Sequence, residues 1–313
     1  MKKILIILFS ILFFSLSAQA ESKSLRKLKE KSLPKDVASG AKWSVSLGVG
    51  MRPHQIQLVN SQDGHPVRSG NQSIRFEIRE GDCGYDVGSW NDCENDRHRS
   101  ELYQYQKNNT GFKHKFFAWS IYLPENFVSV DPVELVMCSI HQSFPGKRVS
   151  TAPSVMFQFN NGGYWINRQI MGMGQERDSY SGYFKKNAHL IDAKDMIGKW
   201  TDVVLEFKST KNENGIIKVW INGELKYDYK GRTSDGGRNY YKFGLYQTWV
   251  SRINYTPPLP WIDGTTKDKS TPYPTQVVYY DDVRIGKSYD EVTKSFNLKL
   301  KLTPQRRKTE QYF

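Results

Sequence analysis

From Ser73 onward the chain is written in short alternating runs of apolar and polar residues broken by turn residues, and no stretch sustains the periodicity of a long helix. The alternation predicts strands at Ser73–Arg79, Ser100–Gln106, Phe116–Leu123, Glu134–Gln142, Ser154–Asn160 and Trp165–Ile170. It predicts five more at Thr201–Ser209, Ile216–Ile221, Leu225–Tyr229, Tyr241–Thr248 and Val277–Ile285. Asn222-Gly223, set between two such runs, marks a two-residue hairpin. Many short strands with this punctuation imply an all-β chain of two stacked antiparallel sheets, a sandwich or β-jelly roll; the expected form is a concanavalin-like roll with a concave groove. No internal repeat is visible. Between Trp249 and Thr275 the pattern lapses into prolines and aromatics, among them Trp261 and Tyr273. Such a long patternless loop is either a functional flap or a plain surface excursion.

The ends differ from the middle. Met1-Lys2-Lys3, an apolar run from Ile4 to Leu16, and Ser17-Ala18-Gln19-Ala20 form the three parts of a cleavable export signal. A retained anchor is the rival reading, and the run is short for it. The expected organisation is a signal at 1–20, a basic leader at 21–40, the jelly roll at 41–290 and a basic tail at 291–313. The mature protein is expected in the periplasm or outside the cell. The whole chain carries a formal charge of +13, and the export segment holds only Lys2 and Lys3 of that excess. A basic exported protein attracts polyanions. Export and the lack of any nucleic-acid motif leave nucleic acid the poorest candidate partner.

Three cysteines are present. Cys83 and Cys93 bracket a polar loop rich in Gly and Asp, and in an oxidising compartment they read as a disulfide. A metal site would need more ligands than the nearby His98 supplies. Cys138, in an apolar run, reads as a small buried hydrophobe.

Alternation also decides which side chains share a face. Arg99, Glu101 and Tyr103 share one, with Leu102 turned to the core. In the run from Leu135 to Gln142, Val136, Cys138 and Ile140 are the expected core set, leaving Ser139 and His141 outside. Tyr241, Phe243 and Leu245 face inward, so Tyr240, Lys242, Gly244 and Tyr246 face outward. Phe157 and Phe159 are core, leaving Gln158 and Asn160 on the other side. Each of these polar residues, taken singly, is most simply a satisfied surface group. Taken together they suit proton abstraction next to a sugar carboxylate. An ionised carboxylate makes its α-proton very weakly acidic, so a guanidinium or amide must neutralise it. Arg99 can do so, with Gln158 or Asn160 assisting. A base and an acid are then needed, and His141 and Tyr246 are the candidates, in either order. Lys242 would favour a tyrosinate or bind an acid group of the substrate.

Arg99-Ser100-Glu101-Leu102, Ser139-Ile140-His141 and Tyr240 to Gln247 resemble the signature strands of alginate lyases of polysaccharide lyase family 7. Arg75 to Arg79, Trp200 to Lys208, Lys218 to Gly223 and Asp281 to Gly286 look closer to the heparin lyase I and glucuronan lyase group, which shares the jelly roll. The resemblance covers roughly Ser73 to Gly286 and rests on the order and spacing of motifs that are individually weak. It implies Arg99 as carboxylate neutraliser, His141 as neutraliser or base, Tyr246 as base or acid, and Lys242 as a substrate contact. It departs from family 7 at Ser139, where the family carries Gln; Gln158 is the expected substitute. That departure favours the heparin lyase and glucuronan lyase branch.

The function so implied is β-elimination of an acidic, uronate-containing polysaccharide, with Glu101, Tyr103, Asn160 and Tyr240 as further substrate contacts. No cofactor is required. Some relatives bind calcium, which Asp281-Asp282 or the acidic Cys83–Cys93 loop could hold. The protein is expected to be a monomer without stable membrane insertion. One rival is a non-catalytic carbohydrate-binding jelly roll, which needs no co-facial Arg, His, Lys and Tyr. A laminarinase-like hydrolase needs paired carboxylates on one strand, and no E-x-D-x-x-E run is present.

Overall fold

The computed structural model describes residues 33–86, 90–105, 111–144, 153–160, 162–171, 183–254 and 273–296. The expected signal at 1–20, most of the leader, the tail beyond 296 and the loop around Trp261 lie outside them.

The strands are β1 (Ala38–Ser39), β2 (Lys42–Val45), β3 (Ile56–Asn60), β4 (Gln72–Ile78), β5 (Arg97–Tyr105), β6 (His114–Tyr122), β7 (Glu134–Ser143) and β8 (Val155–Asn160). They continue as β9 (Gly163–Met171), β10 (Tyr183–Asp192), β11 (Trp200–Lys208), β12 (Gly215–Ile221), β13 (Glu224–Gly231), β14 (Arg238–Thr248) and β15 (Gln276–Gly286). One sheet runs β13-β12-β11-β6-β15-β4-β3, with β1 pairing β15 in parallel. The other runs β10-β9-β8-β7-β14-β5-β2, antiparallel throughout. This is the expected jelly-roll sandwich. The Asn222-Gly223 turn takes positive φ at both residues, 50° and 82°, as a tight hairpin between β12 and β13 requires.

Aromatic rings from the two inner faces interlock to form the core. Phe76 of β4 meets Phe243 of β14 edge-on at 5.6 Å, and Trp119 of β6 meets Phe157 of β8 at 5.1 Å. All four are fully buried, and each such ring contributes about 2–3 kcal/mol by leaving water. The inward sets expected for β5, β8 and β14 are found in the core.

Three expectations are corrected. The domain begins earlier than 41, because Leu33, Val37 and Ala38 are buried in the core. It ends later than 290, because Val292 and Phe296 pack on Ala118 and Val204. In β7 it is Met137 and Cys138, two neighbours, that join the core with Leu135 and Ile140, and Val136 does not. The pairing shifts between Val136 and Cys138 against β8, so a bulge breaks the alternation there. Val136 thereby turns to the outer face, in register with Tyr246 and Gln158.

Candidate active site

The outer face of the seven-stranded sheet gathers the predicted polar residues. Cross-strand pairing sets Arg99 beside Tyr246, Glu101 beside Gly244, and Tyr103 beside Lys242. On the other flank of β14, Lys242 pairs with Ser139 and Tyr240 with His141. Gly244 is required here: its φ is 129°, and an added Cβ would stand 2.4 Å from the Ser100 carbonyl oxygen.

Arg99 is the hub. Its Nε and Nη2 donate to the two carboxylate oxygens of Asp92, at 2.7 and 3.0 Å, and its Nη1 donates to Glu101 Oε2 at 2.7 Å. Lys242 Nζ pairs with that same Glu101 oxygen. The guanidinium lies 3.9 Å from the centre of the Tyr246 ring, and Lys242 Nζ lies 5.8 Å from it. Arg99, Glu101, Lys242 and Asp92 are buried, while Tyr246, Tyr240, Tyr103 and His141 are half-buried. Two cations and two carboxylates thus form a compact network under a tyrosine.

The remaining residues cluster around this hub. His141 donates from Nδ1 to the Gln142 carbonyl at 2.9 Å, which fixes the tautomer and leaves Nε2 as an acceptor. Its ring stacks on Tyr240 at 5.2 Å, and Tyr240 meets Tyr103 edge-on at 6.3 Å. Gln158 is buried and accepts from Asn167 at 3.0 Å, which leaves its Nε2 group uncommitted to that bond. Asn160 is half-buried at the end of β8, and its carbonyl accepts from Trp165 Nε1 at 3.0 Å. The direct contacts therefore join Arg99 to Tyr246 and His141 to Tyr240. His141 and Tyr246 share a face but occupy different cross-strand rows.

The electrostatics follow from burial among these charges. Burial pulls the Arg99 guanidinium down, but Glu101 and Asp92 outweigh it and the pKa is raised. Burial, then the Arg99 charge, bring the Lys242 ammonium down to about 8. Burial, then Lys242, bring the His141 imidazole down to about 3, so it is neutral at ordinary pH. Burial raises the Tyr246 phenol, with Arg99 pulling the other way. Burial raises Tyr240 as well.

Sequence reasoning missed Asp92, which is wholly buried and holds Arg99. Its signal was its place next to Cys93, inside the loop that leads into β5. Cys83 and Cys93 are joined in a disulfide, and Cys138 is free and buried as expected. Within the closed loop, the Asp92 N–H donates to the Gly84 carbonyl at 3.0 Å, and Trp90 Nε1 donates to Asp92 Oδ1 at 2.8 Å.

Three of the carboxylates singled out for calcium, Asp281, Asp282 and Asp92, take partners within the chain. Asp281 accepts from the backbone N–H groups of Arg68, Ser69 and Asp282 at 2.7–3.0 Å, and Asp282 accepts from Arg284 Nη2 at 2.6 Å. Asp92 is committed to Arg99. Among the described residues no three His, Cys, Asp or Glu side chains are grouped to hold a metal.

The fold is a two-sheet jelly roll with a buried arginine network beneath tyrosines on its outer face, and its sequence is that of a polysaccharide-cleaving enzyme. The chain belongs to the polysaccharide lyase family, whose model matches residues 34–284. Among solved structures, the endo-β-1,4-glucuronan lyase of the fungus Trichoderma reesei is similar at 18% identity and a TM-score of 0.58, covering 82% of this chain and 96% of that one. The alginate lyase AlgAT5 of polysaccharide lyase family 7 is similar at 16% identity and a TM-score of 0.47, covering 82% and 99%. No curated protein sequence matches the chain.

Proposed function

We propose that the chain is an exported lyase that cleaves an acidic, uronate-containing polysaccharide by β-elimination, acting as a monomer. The observation that carries this reading is the Arg99 network in contact with Tyr246, on one sheet face with Lys242, His141 and Gln158. Three of the five N–H groups of Arg99 are taken by Asp92 and Glu101. The other two serve the uronate carboxylate, with the Gln158 amide assisting. His141 Nε2 takes the C5 proton. The electron pair left on C5 forms the C4–C5 double bond, the C4–O bond breaks, and Tyr246 gives its proton to the departing glycosidic oxygen. The raised Tyr246 pKa suits a group that starts protonated. His141 is a weak base while Lys242 and Arg99 act on it alone. A bound carboxylate offsets those charges and restores its basicity. The N-terminal pattern and the Cys83–Cys93 bridge support export.

The test is ultraviolet absorbance from the new double bond on a panel of glucuronan, alginate, heparin or heparan and pectic polymers. At least one should give a rise. Tyr246→Phe and His141→Ala should each lower it by about a hundredfold or more with the circular dichroism of the fold retained. Binding without any absorbance on the whole panel would make the protein a carbohydrate-binding member of the family instead.

A further inference from the structure

One cross-strand row runs unbroken from the arginine network to the edge of the sheet. Arg99 of β5 pairs with Tyr246 of β14, Tyr246 with Val136 of β7, Val136 with Gln158 of β8, Gln158 with Trp165 of β9, and Trp165 with His189 of β10. Paired residues point to the same side of a sheet, so Trp165 and His189 stand on the outer face. Neither belongs to the core, although the flanking Tyr164, Ile166 and Leu190 do. The Trp165 ring is half-buried and pinned by its Nε1 bond to the Asn160 carbonyl at 3.0 Å. His189 meets its edge at 4.8 Å and is itself held by Asp192 at 3.2 Å. Gly163 makes room for that imidazole: a Cβ there would lie 2.6 Å from His189 Nε2.

A rigid, partly exposed indole braced at its edge, at the far end of a polar row, has the form of a platform for the C–H face of a sugar ring. We propose that Trp165, backed by His189, is a distal glycan subsite. Its occupant is a sugar residue of the same polymer whose uronate sits at Arg99 and Tyr246. The inference rests on the lyase reading for that central position. Trp165 is three strands from Tyr246, about 14 Å at a strand spacing of about 4.8 Å. One sugar of an extended polymer spans about one strand spacing, so the platform receives the sugar about three residues from the cut.

The experiment compares wild type, Trp165→Ala and Trp165→Phe on a long uronate polymer and on oligosaccharides of defined length, by absorbance. Trp165→Ala should raise KM on the polymer about tenfold, the size of one lost ring contact, and leave kcat unchanged. Trp165→Phe should recover most of the loss, and His189→Ala should give a smaller loss in the same direction. Oligosaccharides too short to extend about three residues from the cut should be cleaved equally by wild type and Trp165→Ala. An unchanged KM on the polymer, or an equal loss at every length, would overturn the subsite. If wild type itself produces no absorbance, the lyase reading fails, and the subsite is then judged by retardation of the protein in gels containing the polymer. Equal retardation of wild type and Trp165→Ala would overturn it there.

Discussion

The Arg99 guanidinium is buried, and its two carboxylate partners do different work. Glu101 is shared with Lys242, while Asp92 holds Arg99 with both oxygens and also accepts from Trp90 Nε1. Removing Asp92 leaves a buried cation half-paired, so Asp92→Ala should lower stability by about 3 kcal/mol, read from the denaturant midpoint. Asp92→Asn keeps an acceptor but removes a charge. Asp92 raises the pKa of both Lys242 and Tyr246, so this variant should move the pH profile of kcat/KM to lower pH. An unmoved profile would reduce Asp92 to a packing role. Lys242 supplies a further check. Its ammonium is charged below about 8 and neutral above it, so the hold proposed for it on an anionic substrate is lost as the pH rises through that value. The kcat/KM should fall on that alkaline limb, and Lys242→Arg should carry the limb to higher pH.

At the scale of elements, the strands that position the site were legible and those that frame it were not. Strands β5, β8 and β14, and β7 outside its bulge, have clear alternation because one face meets an apolar core and the other meets polar groups. The strands not foreseen are β1, β2, β3 and β10. The last three are sheet edges, and β1 is a two-residue pairing on β15. Edge strands are short or polar and carry weak patterns: β10 reads Tyr-Phe-Lys-Lys-Asn-Ala-His-Leu-Ile-Asp. The β7 bulge was illegible for another reason. Val136, Met137 and Cys138 are all apolar, so nothing in their order says where the alternation slips, and strict alternation puts Val136 on the wrong face. Asp92 escaped notice because no periodicity connects a loop acid to a strand arginine. Gly244 gives this level its prediction. With φ at 129° and the Ser100 carbonyl in the path of a Cβ, Gly244→Ala should cost about 2 kcal/mol or more. It should also impair activity by pushing β5, and with it Arg99 and Glu101, away from β14.

For the molecule as a whole, the charge of the site and the charge of the chain differ in balance. The central network holds Arg99 and Lys242 against Asp92 and Glu101 and is internally balanced. On the proposed reading, the attraction for a polyanion comes mainly from the basic excess elsewhere in the chain, +13 in all and +11 without Lys2 and Lys3 of the export segment. Raising the ionic strength should weaken polymer binding much more than it slows turnover at saturation, a split that initial rates in a salt series can read. The central claim is that the bond is broken by elimination, without a water molecule entering the product. Digestion of a cleaved uronate polymer in water carrying heavy oxygen, followed by mass analysis of the fragments, tests this directly. The account predicts fragments free of the label, whose masses sum to that of the parent and one of which bears the C4–C5 double bond. Label in the new chain end, with one water gained per cut, would contradict it.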